Sequence, residues 1–286
     1  MIKQYSYSKL ARENRETLRT FNTDAVKNFF KKINSFLYGS IAIILFFLSW
    51  EAASNYDLLP SSVVPPPTRV IAALAVSFKS GELVYHMKIS LFRAMLGFLL
   101  AAFISIPMGF LLGTFFKTFE RALLPFLRML EKLNPFALFP VFMILFGIGN
   151  VEKIAIIFWV AQWPLLFNTI AGTRSIETNM IKAARSMGAN KKVLFFKVIL
   201  PAAVPGIFTG VKISAQVSFF MIIASEMAGS SQGLGWYYLS SSQSYQVSLM
   251  YGIILFITVL SVIINLLFTR LEKHFLVWKE SSFQSN

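Results

Sequence analysis

The segment Ala94–Phe116 reads AMLGFLLAAFISIPMGFLLGTFF, which is 23 residues without a charged side chain. A helix of this length measures about 35 Å at 1.5 Å per residue, enough to cross a hydrocarbon layer of roughly 30 Å. Core helices of water-soluble proteins seldom run this far without a charge. The segment therefore predicts a transmembrane helix.

Similar stretches recur along the chain, and the overall composition agrees with a membrane protein. Only 14% of the residues are charged and 56% are hydrophobic, whereas a soluble domain usually has about 25% charged residues. The sequence predicts an all-α, polytopic membrane helix bundle with about six transmembrane helices. The other long stretches are Ile33–Trp50, Leu133–Val151, Ile154–Thr173, Val247–Thr269 and, interrupted only by Lys212, Val198–Ser225.

The net charge of +14 is distributed in a way that indicates a membrane topology and no nucleic-acid partner. Nineteen Lys and Arg residues fall before the first span, between alternate pairs of spans and after the last one, whereas four fall in the intervening segments. Loops on the cytoplasmic side of a membrane are enriched in Lys and Arg. The asymmetry therefore predicts an even number of spans with both termini in the cytoplasm.

Four regions follow from these patterns. Residues 1–35 form a basic cytoplasmic tail whose apolar residues have helical spacing, which favours an amphipathic helix on the inner membrane surface over a disordered tail. Residues 36–84 hold the first span, an extended Pro-rich external linker and a short helix, Arg69–Lys79, with Thr68 as a candidate N-cap. Residues 85–275 form the transmembrane core with five helices, and residues 276–286 form a cytoplasmic tail.

The basic loop 174–197 between spans four and five holds a distinctive pattern. It contains IKAARSMG at Ile181–Gly188, and after nine more residues the next span begins with VILP at Val198–Pro201. Good helix formers predict a helix over Thr178–Met187, which Gly188 can end because glycine tolerates a positive φ. The result is a short cytoplasmic helix across the ends of two spans, with an alanine-rich face that another protein can approach closely.

This pattern resembles the loop of ABC-importer permeases, whose consensus is Glu-Ala-Ala, three residues, Gly, nine residues, then Ile-x-Leu-Pro. The chain departs from it at Lys182, where the family often has Glu. The segments Asn134–Gly149, Ala224–Met227 and Gly233–Gly235 are similar to the subfamily that imports sulfonates, taurine, nitrate, bicarbonate and thiamine precursors. The resemblance implies that seven residues couple the permease to its ATPase: Lys182, Ala183, Ala184, Arg185, Gly188, Leu200 and Pro201.

The resemblance implies a type I ABC-importer permease in the plasma (inner) membrane of a prokaryote. It implies a lipid-embedded dimer with a second permease copy or a paralogue, two cytoplasmic P-loop ATPase subunits and an external solute-binding protein. The helix at 176–192 would pass the movement of the ATPases to the spans. The chain lacks a Gly-x-x-x-x-Gly-Lys-Ser/Thr loop, so we expect no enzymatic activity and no bound cofactor, with ATP and Mg²⁺ on the partner subunit.

Polar residues at membrane depth are candidates for the substrate path. Lys212 either attracts an anionic substrate or extends its ammonium group to a polar partner. We expect Arg93 and Arg128, near span ends, to be interfacial anchors, and the isolated His86 and His274 to form no metal site. The candidate path residues are Gln162, Asn168, Lys212, Gln216, Ser218 and Glu226.

Two alternatives stay open at this point. An ion-coupled secondary carrier or a channel would also have six spans, with Glu226 and Lys212 as coupling residues. The glycine-rich segment Gly229–Gly235 could serve as an external gate. The resemblance favours an importer of a small anionic or heterocyclic nutrient, and the sequence does not name the nutrient.

Overall fold

The structure, a computed structural model, describes residue 41 and residues 44–56 and 60–276. The chain divides into two compact units, Met1–Arg69 and Val70–Asn286. The predicted basic tail, the last ten residues and most of the first apolar stretch, Ile33–Trp50, lie outside the described residues. The described residues form helices, turns and loops, and no β-strand occurs among them.

In the first unit, residues 44–55 are helical (α1), and helix α2, Pro67–Lys79, begins there and continues into the second unit. The carboxylate of Glu51 accepts hydrogen bonds from the Thr68 hydroxyl at 2.8 Å and the Thr68 N–H at 3.1 Å. Both bonds lower the pKa of Glu51, and the bond from the hydroxyl has the larger effect. The prediction of Thr68 as the N-cap is wrong, because Pro67 can supply the first turn without a free N–H and the capping carboxylate comes from α1.

The second unit is a helix bundle. Its helices are α3 (Glu82–Phe110), α4 (Lys117–Glu131), α5 (Pro135–Phe146), α6 (Asn150–Arg174), α7 (Thr178–Ser186), α8 (Lys191–Leu194), α9 (Leu200–Gly229), α10 (Leu234–Gln243) and α11 (Val247–Phe275). One wide π-helical turn, Leu111–Phe115, extends α3, and another, Phe195–Ile199, joins α8 to α9.

Four continuous helical stretches are long and apolar enough to cross a membrane: Glu82–Phe115, Asn150–Arg174, Lys191–Gly229 and Val247–Phe275. They confirm the all-α membrane bundle. The pair α4 and α5, bent by 90°, supplies a fifth crossing if it acts as one span. The predicted total of about six also needs the stretch before residue 51, so the total stays a prediction.

The prediction that Leu133–Val151 forms one span is wrong. Helix α5 covers only its 12 central residues and ends before Gly147, whose φ of +74° breaks the helix. At the other end, Asn134 caps α5 by accepting a hydrogen bond from the Phe136 N–H at 3.0 Å. A capped start and a glycine stop make this a short helix in spite of its apolar length.

Helix α6 packs along both α3 and α9, and small residues allow the close approach. A Cβ atom on Gly109 of α3 would lie 2.6 Å from Cβ of Thr169, and one on Gly206 of α9 would lie 2.8 Å from Cα of Gly172. Packing between membrane helices depends on such small residues, because lipid chains are as apolar as the side chains they replace. These contacts fix the three helices that carry the polar groups described below.

The bundle has two distinct ends. At one end, which we call the 174–199 end, α3 and α6 finish and α9 begins. At the opposite end, the 229–235 end, α9 finishes and a glycine-rich loop leads into α10.

Candidate functional site

Helix α7 and the turn after it have the geometry expected from the sequence. The helix covers Thr178–Ser186, and Gly188 has φ +82°. Its N–H donates to the Arg185 carbonyl at 2.9 Å, and the next N–H, of Ala189, donates to the Ala184 carbonyl at 3.1 Å. A left-handed glycine with such bonds is a standard way of ending a helix. The predicted helix and its stop at Gly188 are confirmed, with the helix one residue shorter than expected.

The two adjacent alanines of α7 have different surroundings. Ala184 packs, together with Ile181, against a buried cluster formed by Phe110, Leu194, Ile199 and Ala203. Ala183 is exposed, as are Lys182, Arg185 and Gly188, and Met187 has 87% of its surface accessible. One face of α7 therefore holds the helix on the bundle, and the opposite face presents small, apolar and cationic side chains outward.

The chain after α7 connects that outward face directly to a membrane-crossing helix. Asn190 caps α8 by accepting a hydrogen bond from the Val193 N–H at 2.9 Å. The π-helical turn then continues into α9, where Leu200 is half-buried and Pro201 stands in the first turn. Only residues 187–190, which contain the hydrogen-bonded turn at Gly188, separate α7 from the continuous helical stretch Lys191–Gly229.

In the described part of the chain, the candidate path residues make separate contacts. The Lys212 ammonium lies 3.6 Å from the Glu272 carboxylate, and the Gln216 side-chain N–H donates to Asn265 Oδ1 at 2.6 Å, so both residues tie α9 to α11. Asn168 donates to the carbonyl of Pro164 in its own helix at 2.8 Å. Gln162 is half-buried, whereas Ser218 is buried and its hydroxyl finds no partner among the described residues.

Glu226, the sixth candidate, belongs to a buried charge network at the 229–235 end. Its Oε1 accepts from Arg93 Nη1 at 2.8 Å, and its Oε2 accepts from the Ser90 hydroxyl at 2.7 Å and the Gly235 N–H at 3.1 Å. Neither charged side chain reaches solvent to more than 6%. The expectation that Arg93 is an interfacial anchor is wrong. Arg128 is half-exposed, pairs with Glu131 at 3.0 Å and lies over the ring of Phe167.

Two buried cations hold the glycine-rich loop through its carbonyl groups. Arg93 donates to the Gln232 carbonyl at 2.9 Å, and Lys153 donates to the Gly229 carbonyl at 2.8 Å while pairing with the buried carboxylate of Glu152 at 3.0 Å. The sequence showed Lys153 only as a charge outside the spans. Its signal was weak, because a charge at the end of an apolar stretch usually marks the membrane surface.

Only glycine fits at position 233 of this loop. At Gly233 φ is +110°, and an added Cβ would lie 2.1 Å from the Glu226 carboxylate. The N–H of Gly233 donates to His86 Nδ1 at 3.1 Å, so His86, which looks isolated in the sequence, contributes to the network. The Leu234 N–H donates to the Ser90 hydroxyl at 2.8 Å. The loop is thus clamped to α3, α6 and α9.

Comparison with known proteins agrees with this geometry. The family described as "Binding-protein-dependent transport system inner membrane component" matches residues 105–276. The putative aliphatic sulfonates transport permease protein SsuC of Bacillus subtilis is 32% identical over 232 residues, covering 81% of this chain and 84% of the relative. The taurine transport system permease protein TauC of Escherichia coli is 28% identical over 245 residues, covering 84% and 88%.

A solved structure supports the fold independently. The MetNI methionine ABC transporter in an inward-facing conformation aligns with a TM-score of 0.58 at 20% identity, covering 65% of this chain and 93% of that chain. The expected resemblance to sulfonate and taurine permeases is confirmed, and so is the multi-pass membrane placement. This chain belongs to the family of binding-protein-dependent transport system inner membrane components, and it is an ABC-importer permease subunit of the sulfonate and taurine type.

Proposed function

We propose that this permease moves a small anionic or heterocyclic nutrient inward across the plasma membrane of a prokaryote, and that two cytoplasmic ATPase subunits drive it through α7. An external solute-binding protein would deliver the nutrient to a dimer of permease chains. Both chain termini and the 174–199 end would face the cytoplasm. The charge asymmetry of the sequence supports this orientation.

The observation that carries the coupling proposal is the division of α7 into an anchored and an outward face. Ile181 and Ala184 hold the helix on the bundle, and Ala183 and Met187 are free to contact another protein. A partner that shifts between two arrangements can bias the bundle only through contacts that differ between them. The outward face of α7 and the rigid turn at Gly188 supply such a contact.

The substrate proposal rests on the names of the relatives, which are permeases for aliphatic sulfonates and taurine. Of the six candidate path residues, Gln162, Asn168, Lys212 and Gln216 are only half-buried, and we propose that they contact the substrate when two permease chains come together. The contacts of Glu226 favour a positioning role instead, since its carboxylate already accepts three hydrogen bonds within one chain.

Uptake by the reconstituted complex tests the coupling proposal. Proteoliposomes with the permease, its ATPase and its binding protein should take up radiolabelled taurine or an aliphatic sulfonate only with internal ATP. Gly188→Pro should abolish uptake, because proline removes the N–H bonded to Arg185 and cannot adopt a positive φ. Ala183→Glu should also abolish it while leaving the bundle intact, because Ala183 is exposed.

Two controls make this experiment specific. Thr118→Glu adds the same charge at an exposed position on α4 and should leave uptake near wild type. Ala184→Glu should abolish uptake for a different reason, because it buries a carboxylate in the cluster under α7, and its unfolding temperature should fall. Uptake that is independent of ATP, or that survives both Gly188→Pro and Ala183→Glu, would overturn the proposal.

A further inference from the structure

A cavity of about 750 Å³ lies at the 174–199 end of the bundle. Phe115, Arg174 and Lys191 all line it, and each is the terminal residue of a candidate membrane span. Because three candidate spans end at its wall, the cavity lies at the end of the membrane-crossing part of the bundle.

The lining of this cavity has one sign of charge. Among the described residues that line it, five are cationic and none carries a carboxylate: Lys117, Arg121, Arg174, Arg185 and Lys191. Arg174 is paired with the buried carboxylate of Glu120, which lies outside the lining, and the other four form no ion pair within the described part of the chain. Cations gathered around a concave surface repel one another and attract an anion.

Two helix N-termini also lie at the cavity. Lys117 and Thr178, the first residues of α4 and α7, both line the cavity, and no side chain caps either helix. The free N–H groups at a helix N-terminus favour a bound anion. Thr114, also in the lining, has a buried hydroxyl that finds no hydrogen-bond partner among the described residues.

The rest of the wall is apolar, and it decides between two sources of phosphate. Leu124, Ile181, Leu194 and Phe195 line the cavity beside the cations. A soluble phosphate gains nothing from these side chains, whereas the glycerol and upper acyl carbons of a lipid would cover them. Basic pockets between transmembrane helices are suited to anionic headgroups. We propose that this cavity binds the phosphate of an anionic phospholipid from the leaflet at the 174–199 end.

Lipid retention by the purified full-length permease tests the site. Wild type and variants are equilibrated in detergent with equal amounts of phosphatidylglycerol and phosphatidylcholine, and retained lipid is quantified by mass spectrometry. We expect wild type to retain phosphatidylglycerol selectively. Arg121→Gln/Lys191→Gln should weaken its binding roughly 25-fold, or about fivefold for each cation removed. The matched control is Lys192→Gln/Lys197→Gln, which removes the same charge from exposed residues at the same end outside the cavity.

The control double should bind phosphatidylglycerol as wild type does. Equal retention by all three proteins would contradict the proposal, since general surface charge would then explain the binding. Displacement by millimolar inorganic phosphate would also contradict it and would identify a soluble phosphate as the ligand. A third result would also contradict it: the Arg121→Gln/Lys191→Gln variant binds lipid as wild type does but no longer binds the ATPase. The cavity would then be a contact surface for a protein.

Each variant is compared by its unfolding temperature in detergent. If the double variant is poorly folded, Lys191→Gln alone must still weaken binding about fivefold relative to Lys192→Gln, and equal binding would refute the site. Retention is measured on the isolated permease, so this result does not depend on whether α7 couples to an ATPase.

Discussion

Replacing Glu226 by Gln should disrupt the clamp on the glycine-rich loop although the side chains have the same shape. The carboxylate accepts from three donors, the Arg93 guanidinium, the Ser90 hydroxyl and the Gly235 N–H. An amide offers one acceptor oxygen and places its own N–H₂ against whichever donors remain. At the same time, the buried Arg93 loses its counter-charge.

The size of the effect follows from burial. Removing one partner of a buried ion pair costs about 3–5 kcal/mol, because the remaining charge is left uncompensated. We therefore expect Glu226→Gln and Arg93→Met each to lower the free energy of unfolding by that order. The double variant should lose much less than the sum, with an interaction energy of at least about 2 kcal/mol.

The chain contains a control pair with similar distance and different burial. Arg128 and Glu131 lie 3.0 Å apart, close to the 2.8 Å of the buried pair, yet their side chains are 53% and 24% exposed. Exposed pairs contribute about 0.2–1 kcal/mol. Denaturant unfolding in detergent, followed by tryptophan fluorescence, gives both double-mutant cycles. Equal interaction energies for the two pairs would refute the argument from burial.

Three further outcomes are expected. Gly206→Ala should destabilise the bundle by about 1–3 kcal/mol in the same unfolding assay, since its Cβ would lie 2.8 Å from the α6 backbone, whereas Gly149→Ala, with open space, should not. Gly188→Ala should slow ATP-driven uptake without abolishing it, because a positive φ costs alanine only about 1–2 kcal/mol; wild-type uptake would contradict this. Glu51 has a lowered pKa, so its ionised carboxylate stabilises the fold. This stabilisation is fully present above the ordinary pKa of a glutamate and is lost as the pH falls through the lowered pKa. Hydrogen exchange at the Thr68 amide, relative to its intrinsic rate, should rise in acid, and a rise that persists in Glu51→Gln would show another cause.

Local rules predicted the parts of the molecule that depend on local sequence. The stop at Gly188 depends on residues close to it in the sequence, so the sequence sufficed for it. The continuous spans through Ala94–Phe116 and Val247–Thr269 follow from apolar length alone. The division of Leu133–Val151 was missed because hydropathy does not register the backbone conformation of Gly147.

The charged network needed information that one-dimensional patterns lack. Arg93 and Glu226 are 133 positions apart and meet because α3 and α9 both pack on α6. Hydropathy assigns both residues to span ends, where exposed anchors are the commoner case. Likewise, Ala184 packs on the bundle and Ala183 is exposed because of the face of α7 that meets the cluster around Leu194.

The central claim is that α7 contacts the ATPase that drives transport, and site-directed cross-linking tests it most directly. The chain has no cysteine, so Met187→Cys provides a unique attachment point. The methionine that it replaces is 87% exposed. Ile148→Cys, at a 77% exposed position on the opposite end, is the control. Labelled with benzophenone maleimide and irradiated in the assembled complex, Met187→Cys should form an adduct with the ATPase and Ile148→Cys should not. An ATPase adduct from Ile148→Cys, or none from Met187→Cys, would contradict the account.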